Sequence, residues 1–394
     1  MQPVMTFQKD DYFDLGIMTL THGLSDGYAN LLLPVLTLIV AELSLSRFDT
    51  GILISSFSIA TFFSLYPISL LADYGGRKKF ILITGLSTAS LAFLCMTQAN
   101  TFGALLALAF LAGAGNSTYH PCGTALTATR FARNRAMAIS IHGTGGHLGM
   151  SLMPVIQAGL VAVGISWRSS IAACVIPAFV LLTLVGLRFP GRSKTIVSKQ
   201  QSLAARLSDL TQQVFTNRNV VLLGVIYFLS GMATKSIVGF LPLLAQEKFQ
   251  MQSSTIGLAL SVYFTAGVIA KPLMGLLYNR FGAKSALFMP TLLVGVFTLG
   301  IVFAPTPAVF LICITLVGIV SPISPIIMTA VADMGDEAVL ASSIGYIYTI
   351  RSLSFLSPIL GGWVAERVNL RASYIVFILF VWLATSVATL LRKP

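Results

Sequence analysis

The sequence is short of charge. Asp and Glu together number 13 and Lys and Arg 25 in 394 residues, so only 10% of the chain is charged. A soluble domain carries about 25% and needs them to cover its water-facing surface. That shortage excludes an ordinary soluble protein. Cysteine is also sparse. Cys95, Cys122, Cys174 and Cys313 all fall inside apolar runs and read as small packing residues, not a disulfide framework. Metal-ligand spacing, a nucleophile elbow and a phosphate loop are all missing, so no enzyme, no metal site and no cofactor is expected. The two-residue alternation of a membrane barrel is missing too. A cleavable signal peptide is not expected either. The N-terminus (Lys9, Asp10, Asp11, Asp14) is acidic, and the first apolar run is too long and too polar at His22 and Asp26.

What remains is apolar: 56% hydrophobic residues and a mean hydropathy of +0.86. Apolar runs of about 20 residues recur, matching a hydrocarbon core about 30 Å thick. They predict an all-α membrane protein with spans at 15–41, 50–72, 80–99, 102–128, 136–163, 169–189, 219–246, 254–278, 285–304, 307–332, 338–365 and 372–391. The net charge of +12 is distributed by topology. Arg77, Lys78, Lys79, Arg130, Arg133, Arg135, Arg188, Arg192, Lys194, Lys199, Arg206, Arg218, Arg280, Lys284, Arg392 and Lys393 fall between alternate spans or at the C-terminus. The opposite loops hold only Arg47, Arg168, Lys248, Arg367 and Arg371. This asymmetry predicts an inner-membrane protein with both termini cytoplasmic, and no nucleic-acid partner.

The chain also repeats itself. Gly16, Gly23 and Pro34 recur 208 residues later as Gly224, Gly231 and Pro242. Gly51, Ser55 and Gly76 recur 206 later as Gly257, Ser261 and Gly282, and Pro121 and Pro154 recur 204 later as Pro325 and Pro358. A slowly drifting offset is what duplication followed by loop deletion leaves. Two pseudo-symmetric six-helix bundles follow, 1–189 and 219–394, joined by a basic linker at 190–218. Within that linker, 203–214 reads either as an amphipathic surface helix or as a disordered tether. Parallel six-helix halves with substrate bound between them near the midplane are the major facilitator plan.

Particular residues carry that resemblance. Ser-Leu-Leu-Ala-Asp-Tyr-Gly-Gly-Arg-Lys-Lys at 69–79 resembles the loop signature of major facilitator transporters, with Asp73, Gly76, Arg77 and Lys78 in place and Ser69 and Tyr74 departing from it. The second copy, 275–284, has Asn279 where the acid would stand. The resemblance implies that Asp73, Gly76 and Arg77 form a gating latch. His22 and Asp26, with Gly-Asn-Ser-Thr-Tyr-His-Pro (115–121) and Gly-Thr-Gly-Gly-His-Leu-Gly (143–149), resemble the fosmidomycin-resistance-type subfamily, which implies an exporter without naming its substrate.

Ionisable side chains at membrane depth cost about 3 kcal/mol or more each, so each is a functional candidate. His22 and Asp26, four apart, share a helix face. With His120, beside the kink at Pro121, they form the proton-coupling set expected here, the alternative being hydrogen-bonded structural groups. Of the two histidines flanking Gly143, Gly145 and Gly146, His147 is the substrate candidate and His142 is expected to pack. The C-terminal half offers Lys235, Lys271 and Arg351 and no acid at depth. Lys235 stands one residue past the repeat partner of Asp26, and Arg351 is the repeat partner of His147. Substrate binding is therefore assigned to Lys235, Arg351, His147, Lys271 and Tyr119.

Three cations against one acid favour an anion, which arginine grips through its fork of N–H groups. The expectation is a monomeric secondary transporter working by alternating access. Its partners are a small anionic solute, protons and the lipid bilayer, and a proton gradient is its energy source. An importer or uniporter of an organic anion, such as a polycarboxylate or siderophore, stays open. So does a non-transporting sensor or lipid-handling protein, although a sensor would be expected to carry an added cytoplasmic domain.

Overall fold

The computed structural model describes residues 9–75, 77–131, 135–189, 215–334 and 340–392. The described residues are helical apart from short connections. In lipid an unpaired backbone group costs several kcal/mol, and a helix satisfies its backbone groups within one segment. Helices that restart after a tight loop carry a side chain that satisfies the first free N–H groups. Thr101, Ser166, Asn217, Thr306 and Asn369 each accept from the backbone N–H three residues on.

In chain order the helices are α1 (Lys9–Tyr28), α2 (Leu36–Leu43), α3 (Arg47–Gly75), α4 (Lys78–Met96), α5 (Phe102–Asn116), α6 (Tyr119–Arg130), α7 (Arg135–Ala162), α8 (Trp167–Val175) and α9 (Pro177–Arg188). They continue with α10 (Arg218–Phe249), α11 (Ser253–Phe303), α12 (Pro307–Val320), α13 (Ser324–Met334), α14 (Leu340–Ser352), α15 (Leu356–Arg367) and α16 (Leu370–Ala388).

Among the described residues nine stretches are long and apolar enough to cross a membrane. One of them, α11, turns at Gly282 (φ 70°) and so accounts for two of the twelve expected spans. α7 and the pair α14–α15 occupy the remaining two.

Several expected spans are interrupted, and proline is the reason. Pro34, Pro121, Pro325 and Pro358 each lack an N–H and crowd the carbonyl four residues back. The chain accordingly breaks between α1 and α2, α5 and α6, α12 and α13, and α14 and α15, with 3-10 turns at Leu33–Val35 and Leu353–Phe355. The linker expected at 190–218 lies outside the described residues up to 214, its candidate helix 203–214 included.

Contacts divide the chain into two compact units. The first comprises Met1–Leu45, Ser56–Val197 and Gln252–Ser261. Its centre is the approach of α1 to α7. A Cβ at Gly149 would overlap the carbonyl of Gly23, and one at Gly145 would overlap the carbonyl of Thr19. Small residues thus let two backbones touch, which is how helices associate without a hydrophobic drive between them. At one end Asp14, 1% exposed, accepts from Arg188 Nε at 2.7 Å and pairs with Arg130 Nη2 at 2.8 Å. At the other, Glu42 accepts from Trp167 Nε1 and pairs with Arg168, both at 2.6 Å. Cys122 and Cys174 are buried there as packing residues, whereas Cys95 faces outward.

The second unit comprises Ser46–Ser55, Ser198–Met251 and Val262–Pro394. It is organised around α10, whose buried face runs from Val220 to Ala245. Tyr374 donates to the Ile237 carbonyl at 2.9 Å, and Ser236 meets Ser357 at 2.6 Å. Arg47 pairs with Glu247 at 2.8 Å, while its backbone N–H donates to Glu366 at 2.9 Å.

The α1–α7 contact leaves no room for a side chain. Gly149→Val should destabilise the protein by about 2 kcal/mol, as overpacking does. The measurement is the thermal midpoint in detergent. An unchanged midpoint would mean that the two helices can separate freely.

Candidate functional site

Among the described residues, each unit gathers ionisable side chains from its apolar spans into a cluster. In the first, α1 supplies His22 and Asp26 one turn apart, and α6 supplies His120. Asp26 lies between the two imidazoles. Its Oδ2 is 3.5 Å from His22 Nε2 and its Oδ1 is 3.3 Å from His120 Nε2. The three donor atoms of this group all lie within 4.8 Å of one another.

The cluster is held by α7. His22 Nδ1 donates to the carbonyl of His142 at 2.9 Å. A carbonyl can only accept, so the proton of a neutral His22 sits on Nδ1 and the Nε2 lone pair points toward Asp26. Three rings pack together: His22 with His142 at 4.5 Å and with Tyr119 at 5.2 Å, both stacked, and Tyr119 with His142 at 5.9 Å. Tyr119 is fully buried and donates to the Met18 carbonyl at 2.9 Å. Ser25 donates to Asn116 at 3.0 Å beside the pair. A Cβ at Gly146 would overlap Asp26 Oδ2 and stand 2.8 Å from His22 Nε2, so only a glycine lets α7 lie this close against both groups.

The consequence is chemical. A carboxylate oxygen and an imidazole lone pair face each other across 3.5 Å, and neither can donate. The contact becomes favourable only when a cation stands between them. A proton is the simplest one, and an imidazole can accept and release it.

The second cluster centres on Arg351 of α14. Its guanidinium lies over the Tyr227 ring, with Cζ 4.5 Å from the centroid, and Nη1 donates to the Tyr227 carbonyl at 3.0 Å. A Cβ at Gly231 would overlap Nη1, so this glycine of α10 makes room for the arginine. Lys235, one turn on from Gly231, is half-buried and within electrostatic reach of Arg351. Tyr263 and Tyr348 also feel the guanidinium, and Tyr263 Oη meets Ser321 Oγ at 3.1 Å.

The structure thus brings His22, Asp26 and His120 together, and Lys235 with Arg351. Tyr119 belongs to the first cluster, as a packed ring rather than an open contact. His147 is half-buried on α7 within electrostatic reach of Asp26. Lys271 is half-buried on α11, next to Pro272. Of the gating motif, Arg77 is exposed at the start of α4, Asp73 falls in the last turn of α3, and Gly76 lies outside the described residues. His142 packs as expected, but against His22, where its carbonyl selects the tautomer. Sequence reasoning missed that role, because a backbone carbonyl has no residue type to read.

Residues 15–252 and 223–394 both match the family model of the Major Facilitator Superfamily. The fosmidomycin resistance protein of Escherichia coli K12 is 29% identical over 151 residues, 38% of this chain and 36% of that protein. The bacillibactin exporter of Bacillus subtilis 168 is 29% identical over 158 residues, 38% of this chain and 39% of that protein. The chain therefore aligns with well under half the length of either relative. Among solved structures, a bacterial homologue of the human lysosomal transporter Spinster, inward-facing and unoccupied, superposes with a TM-score of 0.84 over 98% of this chain and 97% of that one. At 14% identity that likeness is one of fold.

The close approach at Gly146 can be tested directly. Gly146→Ala should push His22 away from Asp26 and raise the rate at which an imidazole-modifying reagent labels His22 severalfold, read by mass spectrometry of the peptide. An unchanged rate would show that α7 yields instead of the pair.

Proposed function

This chain belongs to the Major Facilitator Superfamily, and from that premise we propose a secondary active transporter that exports a small anionic solute across the inner membrane in exchange for protons. Alternating access, cytoplasmic termini and a monomeric state complete the reading, with the proton gradient as its energy source. The observation that carries it is Asp26, a carboxylate at membrane depth set between His22 and His120 with the His22 tautomer chosen by a backbone carbonyl. Ionisable groups are retained at such depth when they serve a pathway or a relay. A group that gains and gives up a proton between two imidazoles supplies the coupling step.

The anion is supported by the second cluster. Arg351 has used one N–H group on the Tyr227 carbonyl and carries four more in a planar fork. A carboxylate or phosphonate satisfies that fork in a bidentate way that ammonium groups cannot reproduce. The export direction leans on the relatives, one a resistance protein and the other an exporter by name.

Two experiments test these parts separately. Asp26→Asn keeps the shape of the side chain and removes its charge. In proteoliposomes it should abolish transport driven by a pH gradient while retaining substrate exchange; undiminished gradient-driven transport would remove Asp26 from coupling.

The anion is tested by thermal shift against small carboxylates and phosphonates, each paired with a neutral analogue, since a ligand bound to the folded state raises its stability. Arg351→Gln should weaken the best anion by about 2–5 kcal/mol, the cost of stripping one partner from a buried charge pair. Arg351→Lys should weaken it less, because charge survives without the fork. A best ligand that proves cationic would overturn the anion.

A further inference from the structure

The cluster around Asp26 has the geometry of something more than a proton relay. We propose that His22 Nε2, Asp26 and His120 Nε2 form a binding site for a divalent first-row transition-metal ion such as Zn²⁺, Co²⁺ or Ni²⁺. The site stands whether or not protons drive transport, so its failure would leave the transport reading intact.

Four features of the geometry carry it. The first is spacing. Ligand atoms about 2.1 Å from one Zn²⁺ stand about 3.4 Å apart in a tetrahedral shell. Here His22 Nε2 lies 3.5 Å from Asp26 Oδ2 and His120 Nε2 lies 3.3 Å from the other oxygen, Oδ1, while one donor atom from each residue falls within 4.8 Å of the others. Drawing the three donors onto one ion requires the imidazoles to close by up to about 1.4 Å from that bound, which His120, with a side chain 53% exposed, is free to do by rotation.

The second feature is orientation from outside the ligand set. Metal-bound histidines almost always donate their other ring N–H to a carbonyl or carboxylate, which fixes the tautomer and makes the ligating nitrogen more basic. His22 does this through Nδ1 to the His142 carbonyl at 2.9 Å. Its ring is further held by stacking on His142 and Tyr119.

The third is the pairing of two acceptors. With Nδ1–H committed, His22 Nε2 presents a lone pair to Asp26 Oδ2. A divalent ion accepts electron pairs from both at once, where a single proton satisfies one line of approach.

The fourth is room. The exposed side of His120 borders space in which a fourth ligand can stand. Three protein ligands plus an open position is the arrangement of a metal that exchanges its remaining ligand rather than one locked in place.

The donor set selects the metal. Two imidazoles and one carboxylate suit Zn²⁺, Co²⁺, Ni²⁺ and Fe²⁺, whereas Mg²⁺ and Ca²⁺ call for oxygen ligands throughout. The third donor enters from α6, 94 residues beyond Asp26, so no run of ligand spacing along the chain announces the site.

The test uses the full-length protein, purified in detergent and stripped with a chelator. Titration with Co²⁺ should produce the ligand-field absorption of imidazole and carboxylate coordination and saturate at one equivalent, and Zn²⁺ but not Mg²⁺ should reverse it. His22→Ala and His120→Ala should each weaken binding at least tenfold. His120→Cys should retain binding and add a thiolate-to-Co²⁺ charge-transfer band, which arises only from direct ligation and so separates a ligand from a residue that merely supports the fold. Co²⁺ uptake that survives the double substitution His22→Ala/His120→Ala would overturn the proposal, as would no uptake at all, equal competition by Mg²⁺, or a His120→Cys protein without the charge-transfer band.

Discussion

The contact between α1 and α7 is what the first cluster depends on. At Gly23, Gly145 and Gly149 the two backbones approach so closely that no side chain fits between them. That approach brings the His142 carbonyl within hydrogen-bond distance of His22 and places Gly146 over Asp26. In lipid the helices gain nothing from hiding apolar surface, since the tails are as apolar as leucine. Close van der Waals contact and a few polar links must hold them. The glycines therefore do two jobs: they pack the helices and they bring a carbonyl to an imidazole.

The second unit solves a related problem differently. Gly231 is the repeat partner of Gly23, and Arg351 that of His147. In the first unit the space beside Gly23 is filled by another backbone; in the second, the space beside Gly231 is filled by the Arg351 guanidinium. The arginine then meets an aromatic face and a backbone carbonyl of its own unit, which offset part of the cost of burying a cation. The two matched glycines thus face different neighbours, a backbone in one unit and a cation in the other. One unit carries an acid between imidazoles and the other carries cations.

Charges outside the clusters follow the same economy of partners. Asp14 is as buried as any core residue and draws in both Arg130 and Arg188. Those arginines read along the sequence as part of the positive-inside asymmetry, and they are also the partners of a carboxylate at the start of α1. A count of loop charges therefore understates what they do, since both are also packing partners of a buried carboxylate.

The sequence by itself determined the solvent, the number of spans and the repeated spacing of glycine and proline. Hydrophobicity, loop charge and a 204–208-residue offset are properties of order along the chain, and lipid demands apolar spans without reference to any particular fold. It also determined which residues stood out, because an ionisable group in an apolar run is conspicuous wherever it packs. The proline positions were readable, but not that Pro34, Pro121, Pro325 and Pro358 would divide their spans into separate helices. Only the tertiary structure decided which candidates meet. His22 and Asp26 are neighbours by helix periodicity, while His120 and the His142 carbonyl arrive from α6 and α7 across about 100 residues of chain. Distance in sequence says nothing about such a meeting. It is settled by how closely two helices can approach, and here that depends on side chains that glycine does not have.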